Sequence, residues 1–331
     1  MMMKILGTLN RNLAVAIPAA MALGFAAGMA ADARALKGWI LPLTFLMVYP
    51  MMVTMKLRKI LEGGDGRAQA MAQAVNFGII PFAAFGLAMI FFPGRPFLAL
   101  GLLLAALVPT SGMTIAWTGF AKGNVEAAVK MTVVGLILGS LLTPLYLNAL
   151  MGAKVAVDLV AVFGQILLTV FLPMAAGYAT QHTLVRRFGR REFEQRLAPR
   201  FPALSTLGVL GIVFVAMALK AREIAAHPLL LGEILVPVVL LYGGNYILGA
   251  LLGKAFLKRE DAVSLVYGTV MRNLSIAMAV AMNAFGEGGA EAALVICAAY
   301  LVQVQSAAWS VGWVKRFFEP RVLPVAAAEE S

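Results

Sequence analysis

Ten apolar segments, each about as long as a bilayer is thick, fill this chain, at roughly 12–31, 39–55, 73–92, 97–118, 125–148, 159–180, 203–219, 229–252, 263–285 and 291–313. A membrane-spanning helix needs about 20 mostly apolar residues. In hydrocarbon only a helix or a closed barrel satisfies its own backbone. Composition agrees, with 61% of residues hydrophobic and 13% charged, where a soluble domain has about 45–50% and about 25%. The expectation is an all-α polytopic membrane protein of ten transmembrane helices with almost no mass outside the bilayer.

The net charge of +11 would suggest nucleic acid in a soluble chain. Here the basic residues fall in short connections, where lipid headgroups and topology account for them, so no nucleic-acid partner is expected. Alternate connections hold 19 and 6 of the Lys and Arg residues. The richer side has Lys4, Arg11, Lys56, Arg58, Lys59, Arg67, Lys122, the cluster from Arg186 to Arg200, Lys254, Lys258, Arg259, Lys315, Arg316 and Arg321; the poorer side has Arg34, Lys37, Arg95, Lys154, Lys220 and Arg222. Positive charge stays in the cytoplasm, which puts both termini there, in a bacterial-type plasma membrane. The last two cations, Lys130 and Arg272, fall inside spans, where charge is expensive and usually functional. The single cysteine, Cys297, excludes intrachain disulfides and Cys-based zinc sites. His182 and His227 lie in polar stretches that read as solvated loops. Residues 12–31 make a full span with a later counterpart, so they read as a retained helix rather than a cleaved leader, despite Ala31-Asp32-Ala33.

Landmarks recur in order along the two halves. Pro18 answers Pro173, Pro42 answers Pro202, Pro81 answers Pro237, Thr110-Ser111 answers Arg272-Asn273, and Glu126 answers Glu291, at offsets of 155 to 165. A repeat of five spans inverts in the membrane because five is odd, as in many secondary carriers. The expected division is residues 1–181 for spans one to six, a basic cytoplasmic linker at 182–200, spans seven to ten over 201–314, and a cytoplasmic tail at 315–331.

Two stretches interrupt their apolar segments. Val108-Pro109-Thr110-Ser111-Gly112-Met113-Thr114 joins a proline that cannot donate and a helix-weakening glycine to three hydroxyls. Met271-Arg272-Asn273-Leu274-Ser275 sets an arginine fork suited to an oxyanion in mid-span. Interruptions at matching places in two halves point to a carrier's binding site, so Thr110, Ser111, Gly112, Thr114, Met271, Arg272, Asn273 and Ser275 are the candidate substrate residues. Lys130 lies one turn after Glu126 in the favourable order for an ion pair. Gln69, Gln73 and Asn76 share one helical face, and Asn245, Gln303, Gln305 and Ser306 complete the intramembrane polar set. Of these, Asn76, Lys130, Thr132, Gln303 and Gln305 are the candidates for ion coupling or its replacement by fixed charge. The 19 methionines read as core filler, not a metal path.

Pro109 to Thr114, the turn Ala121-Lys122-Gly123-Asn124-Val125, Leu142-Thr143-Pro144 and Met271-Arg272-Asn273 resemble the bile acid:sodium symporter superfamily, which also contains the Acr3 arsenite exporters. The resemblance covers essentially all ten spans. It implies broken, crossing spans four and nine, and a core of spans three to five and eight to ten moving against a panel of one, two, six and seven. The positions it assigns to a sodium site read Thr114, Ile115, Ala128, Thr132 and Gly268, with Asn76 where a Gln stands in sodium-coupled members, so that site looks dismantled. Where the arsenite exporters carry a Cys and a Glu, this chain has Thr110 and Asn273. The Met-Val-Tyr-Pro and Thr-Ser-Gly-Met-Thr patterns are also similar to sequences labelled arsenic resistance proteins.

The reading is therefore a secondary transporter of a small anion or oxyanion working by alternating access without the usual sodium site, its coupling ion a proton or sodium. Arsenite efflux is the alternative, and a channel or an intramembrane enzyme is remote. No metal motif, nucleophile elbow or paired intramembrane carboxylate supports catalysis, and no cofactor is expected.

Overall fold

The computed structural model describes residues 12–55, 66–155, 157–227 and 229–319. Lys4, Arg11, Lys56, Arg58, Lys59, Arg321 and most of the tail lie outside the described residues, so their part in the charge count stays an expectation.

Among the described residues fifteen α-helices follow one another: α1 Leu13–Ala30, α2 Ile40–Val53, α3 Gly66–Gly78, α4 Ile80–Phe91, α5 Pro96–Leu107, α6 Gly112–Phe120, α7 Val125–Met151, α8 Leu159–Ile166, α9 Leu172–Phe188, α10 Arg190–Glu192, α11 Phe201–Ala226, α12 Leu230–Phe256, α13 Arg259–Val270, α14 Leu274–Ala284 and α15 Gly286–Phe317. Several run on through short 3₁₀ or π turns. Among the described residues, seven of the resulting helices are long and apolar enough to cross a membrane. Val15–Ala30, Pro96–Leu107 and Leu274–Ala284 are apolar but shorter.

The chain's own chemistry sets many of these boundaries. Pro96 stands at a helix start, where a missing N–H costs nothing, and Pro173 lies within the continuous helix Leu159–Phe188, just after the π turn Leu167–Phe171. Asn124, Asp158 and Asn273 cap α7, α8 and α14 through their side-chain oxygens. Two connecting stretches are helical. Within residues 182–200, expected as a basic linker, α9 runs to Phe188, and helical turns resume at Arg190 after Gly189 (φ +84°). His182 thus lies on a helix, stacked on Tyr178 at 6.5 Å. The connection expected at 286–291 is also helical, because Gly286 (φ +53°) turns the chain directly from α14 into α15.

α11 packs along α1 and α2, and α9 joins them on α2. On α1, a Cβ at Gly24 or Gly28 would strike the carbonyls of Phe214 and Ala218 on α11, so this Gly-xxx-Gly pair lets two backbones meet. A second group forms around α15, against α5, α12 and α14, with α13 laid on α12. The centre of the molecule is filled by Leu102, Leu103, Leu104, Val266, Ile276, Val280, Leu294 and Val295. Val15, Leu23, Ile90, Val160, Leu251 and Trp309 face outward. A circumference this apolar is what a bilayer solvates.

Candidate functional site

Each interruption leaves carbonyls and amides that a continuous helix would have paired, and each supplies what the other lacks. α5 stops at Leu107, after which Val108 is extended and Thr110 adopts φ +63°. α13 stops at Val270, and Met271 is extended. The two segments run antiparallel: Thr110 N–H donates to Met271 O at 2.8 Å, and Asn273 N–H to Val108 O at 2.9 Å. An unpaired backbone group in hydrocarbon costs several kcal/mol, on the order of 2–7, so the pairing is what lets both helices break at this depth.

Each break is also locked onto a long helix. Thr110 Oγ1 donates to Pro109 O at 2.6 Å and reaches Met131 O and Thr132 O of α7, both at 3.3 Å. A left-handed conformation costs a threonine roughly 1–2 kcal/mol, and these bonds offset it. On the other side, Arg272 N–H donates to Gln303 Oε1 at 2.7 Å while Gln303 Nε2 donates to Arg272 O at 3.2 Å. Gln303 on α15 thus clamps both polar groups of one extended residue. Tyr242 Oη donates to the same Oε1 at 3.0 Å.

The sequence suggests the Arg272 fork as a direct ligand for an oxyanion, but the fork points elsewhere. Nη1 donates to Ala106 O at 3.2 Å and Nη2 to Thr269 O. These carbonyls belong to the last turns of α5 and α13, the negative ends of two half-helices. Arg272 is 2% exposed, and its Nε–H is buried without a protein acceptor.

The positive helix ends lie beside it. Ser111 and Thr114 form a capping box on α6, with Met113 N–H donating to Ser111 Oγ at 3.2 Å and Ser111 N–H to Thr114 Oγ1 at 3.0 Å. Gly112 is exposed, and nothing stands within 4 Å of where its Cβ would be. Ile276 N–H donates to Asn273 Oδ1 at 3.3 Å at the start of α14. A half-helix end carries about half an elementary charge. Two N-termini and two C-termini cancel, so Arg272 leaves the crossing at roughly one net positive charge.

The other candidates distribute around this centre. Asn76, fully buried, donates to Gly268 O at 3.0 Å, and its Oδ1 has no protein partner. Thr132 Oγ1 donates to Ala128 O at 2.8 Å and to Ser111 O at 3.4 Å. Ser275 Oγ and Tyr300 Oη share a hydrogen bond at 2.7 Å, and Met271 is buried. Lys130 Nζ lies 3.7 Å from Glu126 Oε1. Gln305 is half-buried and stands outside the clamp. The sodium ligand set does not fit these residues. Gly268, Ile115 and Ala128 offer no side-chain oxygen, and the space beside Gly268 is taken by Met131, whose Sδ would lie 2.6 Å from a Cβ there. Among the described residues no cluster of His, Cys, Asp or Glu could hold a metal ion. Three participants escape sequence reasoning: the carbonyls of Ala106 and Thr269, and Tyr242. Backbone acceptors carry no side-chain signal, and Tyr242 lies in an ordinary apolar run.

Comparison with known proteins agrees with this architecture. Residues 41–227 match the model of the Sodium Bile acid symporter family. The uncharacterized Bacillus subtilis protein YbaS is 29% identical over 62% of this chain; the match spans 66% of that protein, just under two thirds. The arsenical-resistance protein Acr3 of Corynebacterium glutamicum is 22% identical, covering 75% of this chain and 70% of its own length. The Acr3 of Alkaliphilus metalliredigens is 26% identical over 71% of this chain and 72% of its own. The chain, a multi-pass membrane transporter and not an enzyme, belongs to the sodium bile acid symporter family.

Proposed function

We propose that this protein is a secondary carrier for a small anion or oxyanion, working by alternating access, in which Arg272 takes the electrostatic place of a bound cation. One observation carries the reading: a buried guanidinium bonded to Ala106 O and Thr269 O, between two helix N-termini. Arg272 acts through its field, and Ser111, Gly112, Thr114, Asn273 and Ser275 line the N-terminal ends that an anion would approach. The seven long helices, α1, and the interrupted pairs α5–α6 and α13–α14 together make ten spans in two inverted halves. The packing of α1, α2, α9 and α11 supports their role as the panel against which the remaining helices move.

Counterflow in proteoliposomes tests the reading. Radiolabelled sulfate, phosphate and small carboxylates should include at least one whose saturable exchange is independent of sodium and falls at least tenfold in Arg272→Gln. Exchange that requires sodium, or that Arg272→Gln leaves unaltered, would sink it. Sidedness is tested with cysteines at Lys154 and Arg196: an impermeant maleimide should label the first from outside intact cells and the second only after permeabilisation.

Arsenical efflux is the second reading, because two relatives are named arsenical-resistance proteins. The chain's one thiol argues against a thiolate relay, since Cys297 is buried in α15. Arsenite accumulation that falls in cells expressing the protein, and equally in a Cys297→Ala variant, would favour efflux without a thiolate.

A further inference from the structure

Three of the six cations on the charge-poor side of the sequence converge on one cavity. Its volume is about 350 Å³, and Arg34, Lys37, Lys220 and Glu287 line it, with Leu219 and Met282 on its apolar wall. Of the other three, Arg95 pairs with Glu233 at 2.6 Å, Lys154 Nζ lies 2.8 Å from Met89 Sδ, and Arg222 is exposed. Positive charge is disfavoured on that side, so concentrating it at one point asks for a ligand.

The cavity lies where two packing groups meet. Arg34 and Lys37 occupy the 3₁₀ turn Ala33–Trp39 ahead of α2, Lys220 is on α11, and Glu287 opens α15. Asp32 does not line it and accepts from Arg34 N–H at 3.0 Å. Lys37 Nζ contacts Glu287 Oε1 at 3.2 Å across this boundary, with the two side chains 47% and 93% exposed. Arg34 and Lys220 act through space on the same carboxylate. Among the lining residues, cations outnumber carboxylates three to one. Glu287 therefore rests where an anion from solution would sit, held only by a solvent-screened, exposed pair.

We infer that this cavity is a capture site for a small oxyanion or carboxylate, with Glu287 as its built-in competitor. An arriving anion takes Lys37, Arg34 and Lys220, and the Glu287 carboxylate turns out to solvent. The inference rests on the carrier reading only in regarding the anion as cargo. A phospholipid phosphate offers the same chemistry as a free oxyanion, so the lipid is a variable of the test.

Calorimetric titration of the full chain in phosphatidylcholine nanodiscs, at low ionic strength with sulfate and inorganic phosphate as probes, tests the site. A saturable site is expected that weakens at least tenfold in R34Q/K220Q, tightens about two- to fivefold in E287Q, and is unchanged in K154Q, whose lysine lies outside the cavity. In phosphatidylglycerol nanodiscs, a tenfold loss of sulfate affinity that is absent in R34Q/K220Q identifies the headgroup as the occupant of the same cations. No saturable binding in phosphatidylcholine, or binding unaltered in R34Q/K220Q, overturns the inference. Binding here without counterflow would leave the site standing and overturn the carrier reading.

Discussion

The Arg272 guanidinium donates to the carbonyl of Ala106 at 3.2 Å, joining two interrupted helices across 166 residues of sequence. Its other terminal nitrogen caps Thr269. One side chain thus neutralises the negative ends of α5 and α13, a task a monovalent cation performs elsewhere in carriers built from broken helices. Wild-type thermal stability should not change when choline replaces sodium at constant ionic strength. Arg272→Ala leaves two buried carbonyls unpaired, at about 1–3 kcal/mol each. That variant should melt lower and recover part of the loss when sodium is added. A variant that melts identically in both salts would show that the two carbonyls do not form a cation seat.

Gln303 and Gln305 lie two residues apart and should behave differently. Gln303 is fully buried and satisfies both backbone groups of Arg272. Gln303→Leu strands both, for roughly 2–6 kcal/mol of lost stability, whereas Gln305→Leu should stay within about 0.5 kcal/mol. Urea unfolding in detergent, followed by tryptophan fluorescence, reads the difference. Equal effects would remove Gln303 from the crossing's frame.

Apolar runs reveal an all-helical membrane chain, and the two polar interruptions its helix breaks, before any coordinates, because hydrocarbon tolerates so few backbone arrangements. Pro109 and Arg272 mark the breaks correctly. The sequence leaves Arg272's direction open, since a fork fits an oxyanion and a pair of carbonyls equally well, and only the position of α5 decides. The basic stretch from Arg186 to Arg200 reads as a linker by charge, yet charge does not prevent a helix, and only Gly189 interrupts it. The cavity at Arg34, Lys37 and Lys220 was half visible as the poorer side's few cations. That three of them meet depends on how α2, α11 and α15 pack.

The Pro109 bend needs room, and α7 supplies it with two glycines. A Cβ on Gly139 would lie 2.8 Å from Pro109 Cδ and 3.3 Å from Leu107 O, and one on Gly135 2.7 Å from Thr110 Oγ1. Gly139→Ala should therefore destabilise by about 1–3 kcal/mol through overpacking and lower transport by displacing the break. Gly86→Ala, with nothing within 4 Å of the new Cβ, is the matched control and should be neutral or slightly stabilising. Parallel melting curves and counterflow rates for the two variants test this. If Gly139→Ala matches Gly86→Ala in both, the crossing is softer than its packing implies.

Lys130 remains the second intramembrane cation, and its surroundings divide two roles. Its side chain is 5% exposed, whereas its partner Glu126, one turn earlier and 3.7 Å away, is 50% exposed. A structural pair of this kind adds little, because burying the ammonium offsets most of the attraction, and an apolar replacement of similar size is often neutral or stabilising. Lys130→Met should therefore melt at or above the wild-type temperature. If Lys130 serves as a fixed charge beside the anion, the same variant loses affinity at least tenfold while remaining folded, and Lys130→Arg retains most of it. Glu126→Gln separates the effects further: it removes the competing carboxylate but keeps the ammonium, so anion affinity should hold or rise. Calorimetric titration with whichever anion supports counterflow, on all three variants, gives the answer. Unchanged affinity in Lys130→Met would confine Lys130 to the pair with Glu126 and leave Arg272 as the fixed charge of the site.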